Sequence, residues 1–321
     1  MIRIGTRDSQ LAVWQATLVQ TLLREINLPA ELVYIKSEGD IDTVTPLYEL
    51  GVQGIFTRSL DAALLSGRID IAVHSLKDIP TRPADGIGIV AVLKRHSVRD
   101  ILVYNGEEAV IKKLLGYEDG RWLPGNMPAG QPFTVATGSV RRMAQWKHRY
   151  PGHSFENLRG NVNTRLKKLA ESGWNGAIFA AAGLERIGVR PAHSLELDWM
   201  LPAPAQGAIG ITCRKIDTAA AAHCAPLNDE ATAQCTSAER AFLRTLMGGC
   251  STPIGALATC RQGQLHFTGN ICSPDGSWSV SVEKSGPPGD CSGIGIAAAH
   301  ELLKNAQVRA ITGIATNGKE N

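Results

Sequence analysis

Apolar positions along the chain follow two alternating rhythms. Short unbroken runs suit buried strands, and longer stretches with an apolar residue every three or four positions suit helices with one buried face. Arg3 to Gly5 predicts a short strand. From Ser9, whose hydroxyl suits an N-cap, Leu11, Trp14, Leu18 and Leu22 recur at helical spacing. Glu31 to Lys36 predicts a strand. Ile55 to Ser66 predicts a helix with Phe56, Leu60, Ala63 and Leu64 inward, closed by Gly67, and Ile69 to Val73 a buried strand. That order implies a mostly parallel sheet with helices on both faces, so the expected class is α/β.

After strands at Ile87 to Leu93 and Asp100 to Tyr104, the stretch Asn105 to Gln131, rich in Gly and Pro, reads as an insertion or long loop. Alternation resumes with a strand over Phe133 to Ala136, a helix over Ser139 to Tyr150, a strand over Ser154 to Leu158, a helix over Val162 to Ser172 and a strand over Gly176 to Ala180. This is a second α/β unit. Pro202-Ala203-Pro204 marks a crossover into a strand over Ala208 to Cys213. A helix from near Asn228 carries Ala231, Cys235, Ala238, Phe242 and Leu246 on one face. Strands over Ala256 to Cys260, Gln264 to Ile271 and Trp278 to Glu283, then a helix over Ile294 to Lys304, form a small α+β unit. At 321 residues the chain exceeds one ordinary domain. Three are expected: 1–98 with 201–224, then 99–200, then 225–321.

Composition changes this picture little, but it excludes several function classes. The chain is 44% hydrophobic, 20% charged and 5% aromatic, and no apolar run approaches the length that crosses a bilayer. The amino terminus enters a strand pattern directly, without a signal-peptide pattern, so a soluble cytoplasmic protein is expected. The seven cysteines include no C-x-x-C pair, which indicates neither a disulfide framework nor a metal site. Net charge is only +3, yet Gln131 to Ala170 holds eight Lys or Arg against the single acid Glu156. A local basic surface suits anionic metabolites, nucleic acid or a solvated helix face. With thin aromatic interleaving and no nucleic-acid motif, nucleic acid ranks last.

Candidate chemistry gathers at strand-to-helix junctions. In Val135-Ala136-Thr137-Gly138-Ser139-Val140-Arg141-Arg142 a helix start offers unpaired amides to an anion, and two arginines follow. Arg159 and Arg165 flank the next junction, and Arg7 with Ser9 the first. Spaced guanidiniums suit a ligand with several carboxylates, although any one of them also reads as a solvated helix residue. The apolar run Ile71-Ala72-Val73 ends in His74-Ser75-Leu76-Lys77-Asp78, at the place where α/β sheets line a ligand crevice. Asp78 is expected as the lone carboxylate in a cationic cleft, stabilising positive charge on a substrate; the plainer alternative is that it neutralises Lys77 or caps a turn. His74 reads as a structural histidine. Lys77 lacks the phosphate loop that a pyridoxal phosphate site needs. Cys250, in Gly248-Gly249-Cys250-Ser251-Thr252-Pro253-Ile254-Gly255, reads either as an exposed nucleophile on a glycine-loosened loop or as a small buried hydrophobe.

These segments, in this order, resemble the porphobilinogen deaminase family over nearly the whole chain. The matching stretches are Thr6-Arg7-x-Ser9-x-Leu11-Ala12, Asp70 to Pro80, Ser139-Val140-Arg141-Arg142, Arg159-Gly160-Asn161-Val162-x-Thr164-Arg165-Leu166, Ala182-Gly183-Leu184-x-Arg186, Gln206-Gly207-Ala208 and Gly248-Gly249-Cys250-x-x-Pro253-Ile254-Gly255. The resemblance implies three domains, the first two arranged like a periplasmic binding protein around a cleft. It implies a transferase of porphyrin and haem biosynthesis that joins four porphobilinogen molecules on a dipyrromethane cofactor, held by a thioether on Cys250. It assigns charge stabilisation to Asp78 and carboxylate binding to Arg7, Ser9, Lys77, Ser139, Arg141, Arg142, Arg159, Arg165 and Arg186. It implies no metal, and a monomer. The chain departs from the family pattern in Val52-Gln53-Gly54-Ile55-Phe56-Thr57-Arg58, where Gln53 and Arg58 replace lysines, and in Ala136-Thr137-Gly138-Ser139, which has one hydroxyl fewer. The competing expectations are a dicarboxylate-binding protein of the same cleft architecture and an unrelated thiol hydrolase.

Overall fold

The computed structural model describes residues 1–36, 57–124, 132–246 and 252–314. In chain order the elements of the first lobe are β1 (Ile2–Thr6), α1 (Gln10–Glu25), β2 (Ala30–Tyr34), α2 (Arg58–Leu65), β3 (Ile71–Ser75) and β4 (Ile87–Val92). The second lobe follows with β5 (Asp100–Tyr104), α3 (Glu108–Leu115), β6 (Tyr117–Glu118), β7 (Arg121–Trp122), β8 (Thr134–Ala136), α4 (Val140–Arg149), β9 (Ser154–Glu156), α5 (Val162–Glu171), β10 (Gly176–Ala180), α6 (Ala181–Arg186) and β11 (Ser194–Glu196). The chain then returns through β12 (Ile209–Arg214) and α7 (Thr218–Cys224), and ends in α8 (Glu230–Thr245), β13 (Ile254–Arg261), β14 (Gln264–Cys272), β15 (Ser279–Gly286), α9 (Cys291–Leu302) and α10 (Ala306–Thr312).

The first sheet has the order β2-β1-β3-β12-β4, and the second β11-β5-β10-β8-β9. In the first, only β12 runs against β3 and β4; in the second, β5 runs against both β10 and β11. Alternation along each strand divides the apolar residues between two faces, the expected consequence of a two-residue period. Ile71 and Val73 pack with Val19 and Leu23 of α1, whereas Ala72 between them packs with Leu60 and Leu64 of α2. In the second lobe Leu102, Val135 and Ile178 meet Trp146 of α4, whereas Ile101, Ala136 and Phe179 meet Leu169 of α5 and Leu184 of α6. Both sheets are therefore covered on both sides, as the α/β reading requires. The C-terminal unit is an antiparallel meander, β13-β14-β15, whose core joins Phe267 and Ile271 to Phe242 of α8 and Ala298 of α9.

Several predicted helix starts carry the cap that the sequence offers. Ser9 accepts from the Ala12 amide, Asn161 from Thr164 and Asp229 from Thr232. Two expectations change. Asn105 to Gln131 is not a plain loop: it holds α3 and the β6-β7 hairpin, with 125–131 outside the described residues. Its glycines end elements rather than dissolve them, since Gly116 closes α3 in the left-handed region and Asp119-Gly120, both at positive φ, make the hairpin turn. Tyr150 Oη donates to the Leu115 carbonyl (2.8 Å) and Trp122 Nε1 to that of Glu196 (2.8 Å), so the insertion docks on the second lobe. Ala231, expected inward, lies exposed in the first turn of α8, while Cys235, Ala238, Phe242 and Leu246 do face the core. The predicted start of the second helix, including Phe56, lies outside the described residues.

Candidate functional site

A cavity of about 660 Å³ lies between the two sheets, where their parallel strands end. The β1-to-α1 junction contributes Arg7, Asp8 and Ser9; β3 runs into a single 3-10 turn, Leu76–Asp78, that contributes Lys77 and Asp78. From the second lobe come Arg142 on α4, Arg159 and Arg165 around the start of α5, and Arg186 on α6. The return into β12 closes the wall with Gly207 and Ala208. Gly207 sits at φ +86°, and a Cβ there would meet the Ser97 carbonyl at 2.6 Å, so only glycine fits. Its own carbonyl accepts from Arg186 at 2.6 Å and ties the second lobe to the returning strand.

Of the residues expected at the site, Arg7, Ser9, Lys77, Asp78, Arg142, Arg159, Arg165 and Arg186 line the cavity, and Ser139 and Arg141 do not. Ser139 Oγ lies 3.5 Å from the Arg142 amide as the N-cap of α4. Arg141 is buried, donating to the Leu201 carbonyl and to Asp100 Oδ2, each at 2.7 Å. Arg142 gives Asp100 Oδ1 two more bonds, from Nη2 at 2.7 Å and Nε at 3.1 Å. Arg58 is exposed at the start of α2, away from the lining, and Cys250 and Gln53 lie outside the described residues.

Asp78 is not the lone carboxylate expected: Asp8 also lines the cavity, and Asp100 stands directly behind Arg142. Burial opposes ionisation of Asp100, but the charges of Arg141 and Arg142 outweigh it and hold its carboxyl well below the usual range. Lys77 is exposed to the water of the cavity, in a crowded and partly desolvated setting. That desolvation, together with Arg142 and against the pull of Asp78 and Asp100, brings its ammonium down to about 8. Its Nζ donates to Gln206 Oε1 at 3.2 Å, and Gln206 Nε2 in turn donates to Asp100 at 3.0 Å. Burial and the neighbouring charges of Arg142 and Arg159 lower Arg165 to about 10. Burial against the opposing pull of Glu185 leaves Arg186 at about 10, and its Nε is buried with no hydrogen-bond partner. His74 is buried beside Thr212, and desolvation together with Arg7 lowers it to about 4, so it stays neutral at pH 7 as a structural histidine would.

Cations crowded in this way repel one another, at about 3 kcal/mol for unit charges near 6 Å in an effective dielectric of 20. A ligand with several carboxylates relieves that repulsion. The cavity volume falls in the range of about 300–1,000 Å³ common to small-molecule sites. The donor set therefore fits a small organic ligand with several carboxylates. Sequence reading assigned no role to Gln206, Asp100 and Glu239. Glu239, with no exposed surface, receives Arg95 at 2.6 and 2.9 Å and the amides of Ala205 (2.6 Å) and Ala258 (2.7 Å). The available signal was a lone acid in an otherwise apolar run, as in Asp100-Ile101-Leu102-Val103-Tyr104.

Two family models match the chain: the dipyromethane cofactor binding domain of porphobilinogen deaminase over residues 2–222, and the porphobilinogen deaminase C-terminal domain over residues 233–304. Among solved structures, a periplasmic substrate-binding protein of an ABC transporter from Coxiella burnetii matches at 12% identity over 71% of this chain and 91% of its own, with a TM-score of 0.42. The methionine-binding protein MetQ matches at 12% identity over 70% and 89%, with a TM-score of 0.42. The VFT2 domain of BvgS from Bordetella pertussis matches at 15% identity over 70% and 84%, with a TM-score of 0.38.

Proposed function

The chain belongs to the porphobilinogen deaminase family, and from that premise we propose that it condenses four porphobilinogen molecules head to tail, with loss of one ammonia at each step, and releases the linear hydroxymethylbilane by hydrolysis. In this reading 1–98 with 201–224 and 99–200 are the two lobes, and 225–321 carries the cysteine loop of a monomer working in the cytoplasm. The observation that carries it is the convergence of six cationic side chains from two sheets on one cavity that also holds Asp78. When bound through a thioether to Cys250, a dipyrromethane would supply the pyrrole carbon at which the chain grows.

The residues of this chain have separable tasks. Arg7, Arg159, Arg165 and Arg186 hold acetate and propionate carboxylates, with Ser9 assisting at a helix start and Ser139 contributing as the cap of the helix that presents Arg142. Lys77, mostly charged at neutral pH, holds a cofactor carboxylate beside them. Arg142 joins the same carboxylate-binding set, whereas Arg141, buried outside the cavity lining, acts indirectly by holding Asp100, which orients Arg142. Asp78 accepts no hydrogen bond from the described residues, so its carboxylate is uncommitted before substrate arrives. It faces the positive charge that appears on a pyrrole ring as the aminomethyl C–N bond breaks and ammonia departs. At about 4 Å and an effective dielectric of 20 that attraction is about 4 kcal/mol, close to three powers of ten in rate. A new C–C bond and loss of the pyrrole α-proton complete each addition.

Intact mass of the purified chain tests the reading. We expect an adduct of dipyrromethane mass that is absent from Cys250→Ser. An unmodified thiol on protein that still consumes porphobilinogen would sink it.

A further inference from the structure

The turn that presents Lys77 and Asp78 is one 3-10 turn of three residues, too short to hold its own shape. From its own lobe it receives the Leu76 amide bonded to the Ala208 carbonyl (3.0 Å) and the Ile79 amide closing back on Leu76 (3.2 Å). Leu76 and Ile79 are also buried against Val92, Ala205 and Ala208, and Lys77 bonds to Gln206, but the carbonyls on either side of Asp78 are held from the C-terminal unit. Arg240, on α8, sends Nη1 to the carbonyls of Ile79 (2.8 Å) and Leu76 (3.3 Å) and Nη2 to that of Pro80 (2.7 Å). Three carbonyls that bracket Asp78 thus converge on one guanidinium, which a planar fork of donors can satisfy and a lysine cannot.

This guanidinium is half-buried and pairs with no carboxylate among the described residues. Its own environment disfavours it: burial, then the like charge of Arg244 one turn along α8, bring it down to about 10, still charged at neutral pH. A charge held without a counter-ion has its partners in the turn carbonyls alone. We propose that Arg240 is a positioning residue for Asp78: it clamps the catalytic turn from the C-terminal unit and fixes where the carboxylate stands in the cavity. The inference rests on the activity proposed above. Because Asp78 acts on charge that develops only as ammonia leaves, a misplaced turn costs turnover rather than substrate binding, which the cations on other elements supply. Displacement by about 1 Å is enough to cost about a hundredfold.

The test measures kcat and KM for porphobilinogen in the holoenzyme, together with amide hydrogen exchange over residues 77–79, for wild type, Arg240→Gln and Arg240→Lys. Arg240→Gln should lower kcat by about ten- to a hundredfold with KM within about twofold, and should speed exchange at the Ile79 amide. Arg240→Lys, which keeps the charge and some of the donors, should recover part of both. Unchanged exchange, a kcat within twofold of wild type, or a loss seen only in KM overturns the proposal. Should Arg240→Gln fail to fold, Arg240→Lys is judged by the same two readouts. If the wild type itself releases no ammonia from porphobilinogen, the activity reading fails, whereas the exchange measurement still decides the clamp.

Discussion

Replacing Asp100 by asparagine removes one negative charge from a place where two guanidiniums depend on it. The carboxylate has no exposed surface, and it receives Arg141 at 2.7 Å, Arg142 at 2.7 and 3.1 Å and Gln206 at 3.0 Å. Arg141 and Arg142 are themselves only 4% and 6% exposed, and Arg141, outside the cavity lining, has no water to turn to when the charge is lost. Removing one partner of a buried ion pair costs about 3–5 kcal/mol, most of it the stranded charge. At about 2–4 °C per kcal/mol for large domains, the melting temperature should fall by roughly 6–20 °C. The assay is thermal unfolding at pH 7 followed by both circular dichroism and tryptophan fluorescence, and a fall of under about 2 °C would refute the reasoning. The sign with pH is also set. Because the folded-state pKa of Asp100 is depressed, its contribution is complete above the ordinary carboxylate range and is lost as pH falls through the lower folded value. The gap between wild type and Asp100→Asn should therefore persist at pH 5 and narrow only in strong acid. Asp100 also raises the pKa of Lys77, so the variant should shift the Lys77 titration further below about 8.

Asp78→Ala should lower kcat by about a hundredfold or more while shifting the melting temperature little; a near wild-type rate would remove Asp78 from the mechanism. Lys77 titrates at about 8 with no ligand anion beside it, so binding of a carboxylated pyrrole to the chain lacking its cofactor should weaken as pH rises through 8, and Lys77→Arg should push that limb to higher pH; a limb that stays in place assigns it to another group. His74, at about 4 in the folded protein against an ordinary 6.5, contributes stability that is complete above 6.5 and lost as pH falls toward 4. The urea midpoint of His74→Gln should accordingly change less than that of wild type between pH 7 and pH 5, and equal changes would contradict the neutral, buried assignment.

Most strands and helices were legible because their cause is local. Asp100 to Tyr104 and Gly176 to Ala180 coincide with the observed strands, and Ser9 caps the predicted helix. α3 and its hairpin differ from the loop that the Gly-rich pattern predicts because glycine there terminates elements instead of breaking them. α6 was missed because its six residues are too few to show a helical period. Much of the site was legible for the same local reason, since side chains just past the carboxyl ends of parallel strands must share one edge.

What the amino-acid order determined alone is therefore the alternation of elements, their caps, and which side chains stand at the junctions, all consequences of neighbours within a few positions. Tertiary structure decided how those side chains are partnered. Arg141 and Arg142 are bound to an aspartate 41 and 42 positions away, Lys77 meets Gln206 across 129, and the turn bearing Asp78 is held by an arginine more than 160 positions along. Charge state and orientation depend on desolvation and on partners brought together only by folding, and no local pattern of residues encodes either.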